Sequence, residues 1–125
     1  MMYRRKETHQ SLCVVRVSLD VLDLPGVVIA DRNAPSDYVR FSASPTGLAM
    51  VDRALVFARY WTHPDDPIEE MRHKSIKCAE VLVPDLVNVG YLTGAHVSCR
   101  ESWEALRRMA PQMRLTLNPD LFFLR

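Results

Sequence analysis

Glu80 is the charged side chain that its neighbours least explain. It is the single charged residue in Cys78-Ala79-Glu80-Val81-Leu82-Val83, and Arg72, His73, Lys74, Ser75 and Lys77 precede it closely. Two readings stand. Glu80 is either an outward-facing strand residue kept wet by alternation with Ala79 and Val81, or a carboxylate beside a basic loop, a common place for chemistry on a rigid strand. In the second case one chemistry open to it is that of a glycosidic bond, beside which a carboxylate can stabilise oxocarbenium-like charge or take a proton. Spacing leaves both open. Arg72, His73, Lys74 and Lys77 likewise read as a substrate-gripping surface or as a solvated face balanced by Glu69 and Glu70. Tyr60 and Trp61 either pack the end of a helix or offer a platform for an unpaired base.

Other chemistries lack their residues. No Gly-x-Ser-x-Gly elbow occurs and no cysteine has a clear histidine partner, which argues against a Ser or Cys nucleophile. Gly26, Gly47, Gly90 and Gly94 are isolated, so no glycine loop cradles a phosphate. His63-Pro64-Asp65-Asp66 with His73 has no regular ligand spacing, and no metal is expected.

The elements that must position Glu80 follow from the apolar pattern. Residues 12 to 17, Leu-Cys-Val-Val-Arg-Val, predict a first strand. The Leu24-Pro25-Gly26 turn introduces a second, Val27-Val28-Ile29-Ala30, which stops at Asp31-Arg32-Asn33. Leu48, Val51, Leu55 and Ala58 recur at helical spacing and predict a helix over 46–60, ended by the prolines and aspartates of 62–67. A polar loop is expected from there to about Ile76. Residues 78–83 predict the strand carrying Glu80, closed by Pro84-Asp85. A strand over 91–99, a helix over 101–109 with Trp103, Leu106 and the Arg107 stem against the core, and a strand over 113–117 complete an α+β chain. No internal repeat is visible.

At 125 residues the expectation is a single domain spanning 1–125. A hydrophobic share of 48% and a charged share of 25% suit a globular protein folding in water, without a membrane-crossing run. The net charge of +1 provides no global field for nucleic acid, so any such binding needs a local basic patch. Cys13, Cys78 and Cys99 are widely spaced and read as reduced thiols. Met1-Met2-Tyr3-Arg4-Arg5-Lys6 is not followed by a signal-peptide core, so a cytoplasmic protein is expected.

Phe57-Ala58-Arg59-Tyr60-Trp61, His63-Pro64-Asp65-Asp66-Pro67 and the run from Arg72 to Pro84 together resemble the DarT family of DNA ADP-ribosyltransferases. Ala79-Glu80-Val81-Leu82-Val83-Pro84 is the most distinctive piece. Leu24-Pro25-Gly26-Val27, Asp31-Arg32-Asn33-Ala34 and the ending Leu117-Asn118-Pro119-Asp120-Leu121-Phe122-Phe123 are similar in the same order. The resemblance implies an ADP-ribosyltransferase-like split β-sandwich with short helices and a toxin that moves ADP-ribose from NAD to a base, thymine foremost, of single-stranded DNA. It implies Glu80 as the catalytic glutamate, engaging the nicotinamide-side ribose and helping deprotonate the base. Lys74, His73, Arg72 and Arg40 would be DNA-binding, Asn33 would contact NAD, and a macrodomain antitoxin would be the partner.

In the family, residues like Met1-Met2-Tyr3 lie inside the chain, after a segment with an NAD-contacting histidine and arginine. The resemblance thus implies a carboxy-terminal part. Weak or absent transfer, and self-association through an uncovered edge, are the corresponding expectations. The alternative is an inactive remnant that binds DNA or the antitoxin.

Overall fold

The computed structural model describes residues 8–122. Met1, Met2, Tyr3, the basic residues Arg4, Arg5 and Lys6, and Phe123 lie outside the described residues. The chain divides into two compact units, one of residues 1–19 and 88–125 and one of residues 20–87.

The first unit holds a three-stranded sheet in the order β1-β5-β6: β1 is Val14–Val17, β5 Leu92–Val97 and β6 Leu115–Leu117. β1 runs antiparallel to β5, with Val14 opposite His96, and β6 runs parallel to β5, with Ala95 opposite Leu115. A parallel pair needs a crossover, supplied here by α3, Arg100–Met109, which packs against both strands. Ala95, Val97 and Phe122 are buried in this unit. Ser98 and Ser102 are buried too, and both are satisfied: His9 Nδ1 meets Ser98 Oγ at 2.6 Å and Ser102 Oγ donates to Gln10 O at 2.8 Å. On α3, Trp103 and Leu106 are half-buried while Arg107 is exposed, its guanidinium 5.1 Å from the centre of the Trp103 ring.

The second unit holds the strands around Glu80. Its sheet has the order β3-β2-β4, all antiparallel, with β2 Val28–Ala30 between β3 Phe41–Ala43 and β4 Glu80–Leu82. Gly26, at φ 79°, takes the left-handed position of the turn before β2, which a Cβ would disfavour. Val27, Ile29 and Ala30 are buried, so both faces of this short central strand are covered. The α+β class and the five expected strands hold, each at its expected place in the order; Phe41–Ala43 is an unexpected sixth.

Two expectations in this unit fail. The helix expected over 46–60 is a 3-10 turn, Thr46–Met50, followed by a short α1, Arg53–Val56. Val51 is extended, and the Asp52 carboxylate accepts from Leu55 N at 3.1 Å, so it starts a new helix instead of continuing the old one. The polar loop expected up to Ile76 is an α-helix, α2, Pro67–Lys77. Asp66 caps it by accepting from Glu69 N, and Pro67 occupies a first-turn position that needs no N–H donor. Glu69 and Glu70 then sit at the positive end of the helix dipole and Lys74 and Lys77 at the negative end.

Candidate active site around Glu80

α2 runs almost directly into β4. Cys78 N donates to Ser75 O at 3.1 Å and Ala79 N to Ile76 O at 3.0 Å, so the chain leaves the helix in one tight turn and reaches Glu80 as the first residue of the strand. There Glu80 lies opposite Ala30, the last residue of β2. The loop that leaves β2 folds over it: Ala34 N donates to Glu80 Oε2 at 3.1 Å. Glu80 is half-buried. The backbone donor fixes the orientation of the carboxylate.

The 31–40 loop is closed at its neck by Asp31. Asp31 N donates to Arg40 O at 3.1 Å, and Arg40 returns its own N to Asp31 Oδ1 at 2.8 Å and its Nε to Oδ2 at 2.9 Å. Within the loop Asn33 N donates to Ser75 O of α2 at 2.9 Å and Ser36 N to Asn33 O at 2.9 Å. Strand, loop and helix end are thereby joined around one carboxylate. Burial pushes the Asp31 carboxyl up, but the N–H and guanidinium of Arg40, with the charge of Arg32, outweigh it and hold it below the usual 3.8.

The basic residues proposed from sequence meet different fates. Arg40 joins the Glu80 neighbourhood through Asp31, with a side chain that is still largely exposed. Asn33 joins it as a backbone anchor. Arg72 pairs with Glu69 at 2.8 Å on the surface of α2, and the Lys74 ammonium lies 5.5 Å from the centre of the Trp61 ring. Both make their contacts away from the 31–40 loop.

His73 must be corrected. It is 3% exposed, its Nε2 lies 2.9 Å from Leu55 O and its Nδ1 3.0 Å from His63 Nε2. A carbonyl only accepts, so Nε2 carries the proton, and in the neutral ring Nδ1 accepts from His63. A buried imidazole with both nitrogens engaged has nothing to offer DNA; it fastens α2 to α1. Lys77 has the same task, donating to Val56 O and Ala58 O.

Sequence reasoning missed the roles of Asp31, Arg32 and the Ala34 N–H, although Asp31-Arg32-Asn33-Ala34 was among the motifs of the resemblance. It also missed that Asn33 N meets Ser75 O of α2, a helix for which Asp66-Pro67 followed by Glu69 and Glu70 was the available signal. Among the described residues no group of three His, Cys, Asp or Glu side chains is placed to hold a metal ion.

Three solved structures similar to this chain are of DarT or DarTG proteins. Thermosipho africanus DarTG in complex with ADP-ribose superposes with a TM-score of 0.79 at 22% identity, over 99% of this chain and 33% of the other. Thermus sp. 2.9 DarT in complex with NAD+ gives 0.72 at 20% identity over 86% and 55%, and its complex with ADP-ribosylated ssDNA gives 0.71 at 20% over 86% and 52%. The chain thus spans between a third and just over half of these relatives, and at such identity the likeness establishes the fold, which is the ADP-ribosyltransferase-like one expected. No curated protein matches. Residues 1–123 match the family model described as "DarT: ssDNA thymidine ADP-ribosyltransferase, DarT", and the chain belongs to the DarT family.

Proposed function

We propose that this chain, through Glu80, moves ADP-ribose from NAD+ to a thymine base of single-stranded DNA. The observation that carries the reading is the anchored carboxylate: Glu80 begins β4, half-buried, with Oε2 fixed by Ala34 N–H. The family match and the ligands of the solved relatives, NAD+ and ADP-ribosylated ssDNA, support this substrate pair. In the reaction the bond between nicotinamide and the ribose anomeric carbon breaks, and nicotinamide leaves with the bonding pair. A thymine in DNA has one N–H, at N3, and that nitrogen forms the new bond to the anomeric carbon as its proton passes to Glu80. A carboxylate in this place also lowers the energy of the oxocarbenium-like charge on the ribose. Lys74, Arg72 and Arg40 supply positive charge for the DNA backbone, and Asn33 lies on the loop that would face the NAD+.

The reaction fits the cytoplasm, which holds both substrates, and no helix among the described residues is long and apolar enough to cross a membrane. A DNA-modifying toxin of this kind calls for an antitoxin with a macrodomain, a module that binds ADP-ribose. An inactive remnant is not favoured, because the family match runs through Glu80 and the loop that anchors it.

The test is incubation of the full chain with NAD+ and a thymine-containing oligonucleotide, beside Glu80→Gln. Glutamine keeps an oxygen for Ala34 N–H but takes no proton at neutral pH. The expected outcome is one added ADP-ribose by mass spectrometry, slowed roughly 10²- to 10⁴-fold in the variant, the usual worth of a positioned acid or base. An adduct formed equally fast by Glu80→Gln rules the assignment out.

A further inference from the structure

The 31–40 loop contains a guanidinium whose Nε is left without a hydrogen bond among the described residues. Arg32 Nε is buried without a hydrogen-bond partner among the described residues, and the side chain is 19% exposed. Its nearest carboxylate is Asp31, with Oδ1 at 3.8 Å, beyond hydrogen-bond reach. Asp31 is already occupied, since Arg40 gives Oδ1 its backbone N–H and Oδ2 its Nε. The other basic residues of this unit considered above have partners. Lys77 serves two carbonyls, Arg72 serves Glu69, Lys74 lies over Trp61 and His73 bridges Leu55 and His63. A buried charged donor without an acceptor is costly, and a bound anion would supply the acceptor.

We propose that Arg32 is a phosphate-binding residue of the Glu80 site, an inference that rests on the transferase reading only for the choice of ligand. Three features point to a phosphoryl oxygen. The guanidinium is always charged and its planar fork matches phosphate. It rises from the loop that holds Glu80, two residues before the Ala34 N–H. The neighbouring carboxylate is neutralised by Arg40, so an anion entering beside Arg32 does not face a bare Asp31. The phosphoryl group belongs either to the pyrophosphate of NAD+ or to a phosphodiester of the DNA strand.

The experiment measures binding of three probes to the full chain by calorimetry: ADP-ribose, inorganic pyrophosphate and a short oligothymidylate without NAD+. Each is repeated with Arg32→Gln and Arg32→Lys, with thermal melts in parallel. The expected result is at least a tenfold weakening by Arg32→Gln, as for loss of a charge-assisted hydrogen bond, partial recovery with lysine, and a melting temperature unchanged or raised. Loss confined to ADP-ribose and pyrophosphate identifies the dinucleotide as the source; loss confined to the oligonucleotide identifies the strand. The proposal is overturned if the wild-type chain binds none of the probes, or if Arg32→Gln binds all three normally. It also falls if Arg32→Gln lowers the melting temperature and Arg32→Lys does not restore binding, since that is a structural arginine. Arg32-dependent phosphate binding with transfer indifferent to Glu80→Gln would keep this inference and remove the transferase reading.

Discussion

At the scale of single residues, the candidate site is organised by a buried carboxylate other than Glu80. Asp31 is buried, and its two oxygens fasten Arg40 across the neck of the loop whose Ala34 N–H holds Glu80. Its folded carboxyl lies below the usual 3.8, so the native state binds fewer protons there than the unfolded chain. The stability it contributes is therefore complete above about pH 3.8 and is lost as pH falls through the lowered folded value. Asp31→Asn should cost about 1–3 kcal/mol at neutral pH, since an amide answers the Arg40 donors only in part. It should also lessen the acid dependence, so that wild type and variant converge at low pH. Urea unfolding at pH 7 and at pH 3 checks this; curves separated equally at both values would show that Asp31 does not carry that dependence. Glu80 itself was legible in the sequence as a carboxylate among apolar residues after a basic run. Arg32 was not, because an unsatisfied guanidinium is defined by burial and by a neighbour already taken.

At the scale of elements, short strands are held by close backbone approach rather than by length. β5 has Gly94 where a Cβ would lie 2.6 Å from Arg114 O, the carbonyl that accepts from Ala95 N at 2.9 Å. The obstacle is backbone on the incoming side of β6, and β5 cannot retreat without giving up that bond. Gly94→Ala is expected to destabilise the chain by about 1–3 kcal/mol, the range for overpacking, read from the urea midpoint; an unchanged midpoint would mean the β5–β6 approach is softer than its geometry. The same scale explains the two misread segments. Leu48, Val51, Leu55 and Ala58 keep helical spacing and are all half-buried, yet Asp52 restarts the helix between them. α2 escaped notice because its aspartates and proline were read as breakers, whereas Asp66 and Pro67 stand at the one place where a helix favours them.

For the molecule as a whole, the surface of the second unit explains why self-association is expected. β4 is the edge of its sheet and leaves Val81 and Leu82 exposed, and Leu86, which follows the Pro84-Asp85 turn, is 71% exposed. An apolar strand at an edge invites pairing with another chain. Sedimentation velocity over a hundredfold concentration range should show association that Val81→Lys reduces, whereas a monodisperse wild-type monomer throughout would leave the edge without that role. By itself the sequence determined the α+β class, the order of five strands and the family, and it singled out Glu80 as the candidate carboxylate, because strand periodicity, turn residues and a charge among apolar residues are local signals. The tertiary structure alone decided that the basic run is a capped helix and that His73 serves the core. It also decided that the loop of Asp31, Arg32 and Ala34 closes on Glu80. Those facts depend on which donors and acceptors meet across about forty-six residues of chain, and no local pattern encodes that pairing.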